Sequence, residues 1–180
     1  EDIARAITLK TRLLSISLLQ FLHGFRSDLA AIGALCREKG ILFCVDAIQS
    51  AGAVPIDVQE MKIDFLSSGC QKWLMGPEGT AFIYVSEETQ DRITQATLGW
   101  TSIRDFFSNF FDYRLDLDPT AGRYENGTLN FGGLLGVHAS TGILLEVGIG
   151  NIEKHLRGLT QFIIDRVKSS GVQLMTPEDP

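Results

Sequence analysis

The chain has 180 residues, 44% of them apolar and 21% charged, with a net charge of −6, the composition of a globular protein of one ordinary domain or parts of two. The acidic balance argues against nucleic acid or an anionic membrane surface as the main partner. No long apolar segment and no signal peptide stand out, and the three cysteines, odd in number and without a C-x-x-C pair, read as reduced thiols of a cytoplasmic protein rather than a disulfide framework or zinc site.

The sequence begins EDIARAITLK and stops at MTPEDP, shortly after an apolar stretch. Both ends read as cuts, so a segment of a longer protein is expected. RLLSISLLQF (12–21) is a near-continuous apolar run, as in a parallel strand covered on both faces. RSDLAAIGALCREKG follows, with Ser27 as the expected N-cap and Leu29, Ile32, Leu35 and Cys36 at helical spacing up to Gly40. ILFCVDAIQ (41–49) is the next strand, VPIDVQEMKI a short connection, DFLSSG (64–69) a third strand and TAFIYVS (80–86) a fourth. Strand, helix, strand in this order is a βαβ unit, which predicts a mostly parallel sheet with helices on both faces. Residues 87–98 are expected to be helical. Residues 99–127 hold many aromatics and little periodicity, the mark of a functional loop or an interface. FGGLLGVHASTGILLEVG (131–148) reads as a buried helix. Residues 151–171 read as an amphipathic helix with Ile152, His155, Leu156, Leu159, Phe162, Ile163 and Val167 on its apolar face, and VQLMTP as the first strand of another domain.

Ligands of open α/β sheets sit beyond the carboxyl ends of the strands. Asp46, Gln49 and the stretch SSGCQK are expected at that rim. Asp46 ends an apolar strand, and a carboxylate is costly to bury without a partner. It either caps the following turn, which is common, or faces a cationic ligand. Lys72 follows the next strand. It is either a solvated surface lysine or, in a partly desolvated rim, an amine able to form a Schiff base. Pyridoxal 5'-phosphate (PLP) calls for both groups: a lysine for its aldehyde and a carboxylate for its pyridinium nitrogen. Gln49 is within reach to donate to the phenolic oxygen.

The stretch CVDAIQSAGAVPIDVQEMKIDFLSSGCQKWLMGPEGTAFIYV resembles the cofactor-lysine region of the class V aminotransferases. These are fold-type I PLP enzymes that include cysteine desulfurases and isopenicillin-epimerase-like proteins. V-D-x-x-Q, P-[IV]-D-V, D-F, a Ser/Gly step into x-K, and G-P-x-G occur in order. RYENGTLNFGGLLGV is similar to the family's F-E-x-G-T-x-N segment, and the resemblance covers most of the chain. It implies a three-layer, mostly parallel large domain, of which residues 1–150 form the second half. Residues 151–180 would be a linking helix and the start of a small C-terminal domain. It further implies that Lys72 carries the Schiff base and moves protons on the substrate carbon, that Asp46 pairs with the ring nitrogen, and that Gln49 pairs with the phenolic oxygen. Gln71 and Ser68 would contact the phosphate. Thr128 would reach the phosphate in the neighbouring subunit of a homodimer, with an amino acid as substrate.

The sequence departs from the family in places. Gly69 stands where desulfurases carry a phosphate-binding serine, and Gln71 where many members have a histidine. KWLMG and LGWTS are similar to the epimerase-like branch. Two other readings follow: a cysteine desulfurase or C–S lyase, and an inactive relative serving in assembly. Cys70 is read as a small residue in a tight turn. His23, His138 and His155 show no metal spacing. The cluster Phe106, Phe107, Phe110, Phe111 and Tyr113 suits an interface, a substrate wall or simple packing.

Overall fold

The structure, a computed structural model, describes residues 1–108 and 111–178; Phe110 of the aromatic cluster lies outside them. A short helix α1 (Asp2–Ala6) leads into β1 (Leu13–Ser17), α2 (Leu29–Lys39), β2 (Leu42–Asp46), β3 (Phe65–Gly69), β4 (Ala81–Val85), α3 (Glu87–Gln90), α4 (Phe131–Val147) and α5 (Ile149–Lys168). The strands form one sheet in the order β1-β2-β3-β4. The first three are parallel and β4 runs antiparallel to β3, so the mostly parallel sheet expected from the βαβ pattern is present.

Alternation along β2 sets the two faces. Phe43 and Val45 are fully buried, whereas Leu42, Cys44 and Asp46 are half-buried on the other side. The buried side packs with Leu29 and Cys36 of α2, Ile63, Leu66 and, from α5, Leu156. Each large apolar side chain buried there contributes about 1.5–3 kcal/mol. On the opposite side Ser15 of β1 and Ser67 of β3 are exposed, so among the described residues no helix covers this part of the sheet.

Asp64 locks β2 to β3. Its buried carboxylate accepts from Phe43 N–H (2.7 Å) and from the Thr89 hydroxyl (3.0 Å), with the Arg37 guanidinium 3.9 Å away. These partners are what make a buried charge tolerable.

Several expectations are corrected by the fold. The N-cap of α2 is Asp28, which accepts from Ala31 N–H, while the Ser27 hydroxyl donates to Ser17 O. Both residue types cap well; the chain spends Ser27 on closing the hairpin behind β1. That hairpin, with Leu19 bridged to Arg26, ends the strand at Ser17 rather than at 21. The helix after β4 stops at Gln90, where the Gln90 side chain reaches Pro119 O and Gln95 reaches Arg123 O. Tertiary pairing with residues 119–123 therefore outweighs a stretch whose Ile93, Thr94 and Thr97 are poor helix formers.

Helix α4 buries only Gly133, Ser140 and Leu144, and leaves Leu135 and Leu145 more than two-thirds exposed. A helix apolar all round suits burial on all sides, but no described element covers its outer flanks. On α5 the packed stripe is Ile152, Leu156, Ile164 and Val167, with His155, Leu159, Phe162 and Ile163 exposed. The Arg26–Glu153 ion pair fixes that rotation. Residues 172–178 form no strand, since no described strand lies beside them to share a ladder; Thr176 instead donates to His23 O. No single described helix is long and apolar enough to cross a membrane.

Candidate cofactor site at the carboxyl rim of the sheet

The parallel register aligns Ser17, Asp46 and Ser67 across β1, β2 and β3. Asp46 is held from both sides through its backbone: Leu18 N–H donates to Asp46 O (3.1 Å), and Ala47 N–H to Ser67 O (2.8 Å). Its Oδ1 accepts from Ile48 N–H at 2.9 Å. This Asx turn ends β2 at 46 instead of 49. A carboxylate accepts through both oxygens, so capping by Oδ1 is compatible with a second partner at Oδ2. Gln49 lies half-buried in the same turn, whose Ser50 N–H closes onto Ala47 O.

Lys72 sits in the loop from β3 to β4. Cys70 N–H donates to Thr80 O (2.9 Å), Gly76 N–H to Cys70 O (2.7 Å) and Met75 N–H to Lys72 O (2.9 Å). Two supports hold this loop. On one side a Cβ on Gly52 would lie 2.5 Å from Trp73 O, and Gly52 has φ +95°, so only glycine lets the 50–52 turn approach so closely. On the other side α4 offers small residues. A Cβ on Gly136 would meet Pro77 at 2.5 Å, one on Gly133 would overlap Thr80, and Gly76 lies against Val137. Asn130 caps α4 by accepting from Gly133 N–H. These supports were not anticipated from the sequence. The Gly133/Gly136 pair, three apart in an apolar helix, is the signal that points to them.

Asp46 and Lys72 thus stand on adjacent strands' carboxyl ends. Lys72, Gln71 and Trp73 are exposed, so the described residues do not supply the partly desolvated setting expected for the lysine. Ser68 is buried, and its hydroxyl donates to Gly69 O at 3.0 Å. Alternation turns it away from the Asp46 side, where Ser67 lies instead. Gln71 folds back so that a Cβ on Gly69 would overlap its Oε1. Thr128 is exposed in the segment before α4. That segment is tied down by the Thr101 and Ser102 hydroxyls, both donating to Glu125 O. Among the described residues no hydrogen bond joins Thr128 to Asp46 or Lys72. Cys70 is buried in the tight turn. A groove of about 630 Å³ is lined by Val54, Ile56, Leu66, Tyr84 and Leu144 among others and includes none of Asp46, Gln49 or Lys72.

The residues fit PLP in kind. One rim presents an amine, a carboxylate and two carboxamides, and the bare α-carbon of Gly69 leaves a space that the Gln71 amide occupies. The model of the family aminotransferase class-V matches residues 1–179. The chain belongs to this family. An uncharacterized aminotransferase, YcbU of Bacillus subtilis, is 30% identical over 165 residues, covering 92% of this chain and 43% of that protein. The apo structure of a cysteine desulfurase from Thermococcus onnurineus superposes with a TM-score of 0.83 at 27% identity, covering 93% of this chain and 41% of its own. A C-DES variant with glycine covalently linked to its PLP cofactor superposes with a TM-score of 0.79 over 92% of this chain and 44% of its own. At 24% identity that likeness shows the fold alone. This class V aminotransferase chain therefore spans less than half the length of the relatives it matches.

Proposed function

We propose that the protein is a PLP-dependent enzyme that acts on an amino acid through a Schiff base on Lys72. The observation that carries the reading is the placement of Asp46 at the carboxyl end of β2 and of Lys72 in the loop leaving the adjacent parallel strand β3, within a chain of this family. When bound, PLP supplies an aldehyde and an electron-accepting ring. Lys72 Nζ would hold the cofactor through its aldehyde and, when free, would be the base that takes and returns a proton at the substrate's α-carbon. Asp46 accepts from the protonated ring nitrogen and keeps it charged, while its Oδ1 bond to Ile48 N–H fixes the carboxylate's orientation. Gln49 donates to the phenolic oxygen. Gln71 serves the phosphate, whereas Ser68, expected to share that role, is buried with its hydroxyl donated to Gly69 O. Thr128 serves the phosphate of a second subunit, and the exposed apolar flanks of α4 support a dimer in which that flank is covered. In this reading residues 1–150 belong to the cofactor domain and 151–180 link it to a smaller one. Three free cysteines suit a reducing, cytoplasmic setting.

Transamination, the reaction that the family's description names, is one reading of the outcome, beside epimerisation and elimination. The likeness to a cysteine desulfurase at 27% identity favours a second, cleavage of a carbon–sulfur bond. Titration of the full-length protein with PLP, followed by amino acids in turn, tests both. A keto acid product assigns transamination and a sulfide or persulfide product assigns C–S cleavage. A Lys72→Ala variant that still develops the Schiff-base absorbance band would overturn the role of Lys72.

A further inference from the structure

β1 leaves the rim in a hairpin that stands beside Asp46. Ser17 is in register with Asp46, and Leu18 N–H donates to Asp46 O. Residues 19–26 therefore lie on one side of that carboxylate, and the Lys72 loop leaves β3 on the other. The hairpin is braced along its length. At its base Ser27 N–H donates to Leu18 O, Leu19 is bridged to Arg26, and Arg26 pairs with Glu153 of α5. Further out Gln20 N–H donates to Phe25 O and Gly24 N–H to Gln20 O, both at 2.9 Å. At the tip His23 Nδ1 accepts from Phe25 N–H at 3.3 Å, and His23 O accepts from the Thr176 hydroxyl at 2.7 Å. What this frame presents is apolar: Phe21 is 81% and Leu22 76% exposed, with Phe25 about half exposed. Single exposed apolar side chains are ordinary. Adjacent ones on a braced turn, at the end of a sheet where ligands bind, form a preorganised apolar wall. The tip carries no carboxylate or guanidinium, and Arg26 at the base is already paired.

We propose that the tip of this hairpin, Phe21 with Leu22, is the wall against which the substrate's side chain packs, and that it makes the enzyme select amino acids with apolar side chains. This rests on the PLP reading above, which brings the substrate's amine to Lys72 and so its side chain to the same rim. An apolar side chain covers the two exposed residues and gains about fourfold in affinity for each methylene buried. A charged side chain loses its water there with no partner to replace it. Phe21 and Leu22 thus set specificity, and the chemistry at the amine is left to Lys72 and Asp46.

The test measures binding rather than turnover. Full-length protein loaded with PLP is titrated with alanine, 2-aminobutyrate, norvaline and norleucine, and with aspartate and glutamate. Dissociation constants are read from the change in the cofactor's absorbance. In wild-type protein each added methylene tightens binding about fourfold, and aspartate and glutamate bind no more tightly than alanine. The double variant Phe21→Ala/Leu22→Ala brings that step below about twofold per methylene, while alanine and PLP itself keep their wild-type affinities. Both residues are exposed, so the double variant keeps the fold. Leu9→Ala, at an exposed apolar residue ahead of β1, retains the wild-type series. A flat series in wild-type protein, tighter binding of aspartate or glutamate than of norleucine, a double variant as steep as wild type, or equal flattening by Leu9→Ala would each overturn the inference and leave PLP on Lys72 in place. If wild-type protein gains no Schiff-base absorbance with PLP, the PLP reading itself has failed, and the substrate wall with it.

Discussion

Gly52→Ala is expected to damage the lysine loop specifically. Gly52 has φ +95°, and an alanine Cβ there would stand 2.5 Å from Trp73 O and 2.8 Å from Trp73 C. The left-handed conformation costs an L-residue about 1–2 kcal/mol. Relieving the contact means moving the backbone next to Lys72, and such overpacking costs about 1–3 kcal/mol. Together these give a loss of roughly 2–5 kcal/mol, read from the shift in the urea midpoint at constant slope. Gly33→Ala is the control. Its Cβ would overlap Met61 O on the α2 side of the core, so it destabilises without touching the loop. Under conditions where both variants are folded, Gly52→Ala should lower PLP labelling of Lys72 and Gly33→Ala should not. A Gly52→Ala protein with the wild-type urea midpoint, or equal labelling of Lys72 in the two variants, would refute the claim that the 50–52 turn seats the lysine loop.

Asp64→Ala leaves Phe43 N–H and the Thr89 hydroxyl unpaired in the core, at about 1–3 kcal/mol each; thermal or urea unfolding should show a loss of roughly 2–6 kcal/mol. The Asp118 carboxyl is held below the usual carboxylate range by the Thr120 hydroxyl first and the Thr120 N–H second, against the opposing effect of burial, with Arg104 and Arg123 adding to the lowering. A depressed carboxyl contributes stability above its unfolded-state pKa and loses it as pH falls through the folded value. Thr120→Ala should therefore raise the Asp118 midpoint in an NMR titration and bring the acid loss of the local turn to a higher pH. Burial, and secondarily the charge of Asp64, pushes the Cys36 thiol up. At mildly alkaline pH iodoacetamide should alkylate Cys36 far more slowly than the half-buried Cys44, as read by peptide mass spectrometry.

The βαβ core was legible because its signals are local and agree. The apolar runs of β1 and β2, the helical spacing from Leu29 to Cys36 and Gly40 in the left-handed cap position all point one way. The rim pair Asp46 and Lys72 followed from strand order. The direction of Ser68 was also available, since Leu66 and Ser68 share one side of FLSSG and Ser67 the other, but only once Leu66 is known to face the core. The end of β2 was misplaced because the Asp46 side chain captures Ile48 N–H, a bond that hydropathy does not register. The burial of α4 could not be read from its composition. Composition says the helix suits burial; the elements that would cover Leu135 and Leu145 are not among those described. The seating of the lysine loop on Gly52, Gly133 and Gly136 depends on approaches between segments far apart in sequence, which no periodicity encodes.

The central claim is that Lys72 carries the cofactor. The full-length protein should be incubated with PLP, reduced with borohydride, digested and analysed by peptide mass spectrometry. The account predicts a pyridoxyl adduct on Lys72, lost in Lys72→Ala and weakened in Asp46→Ala. A folded protein with no adduct at Lys72 would contradict it, leaving Asp46 as the cap of its own turn and Lys72 as a surface lysine.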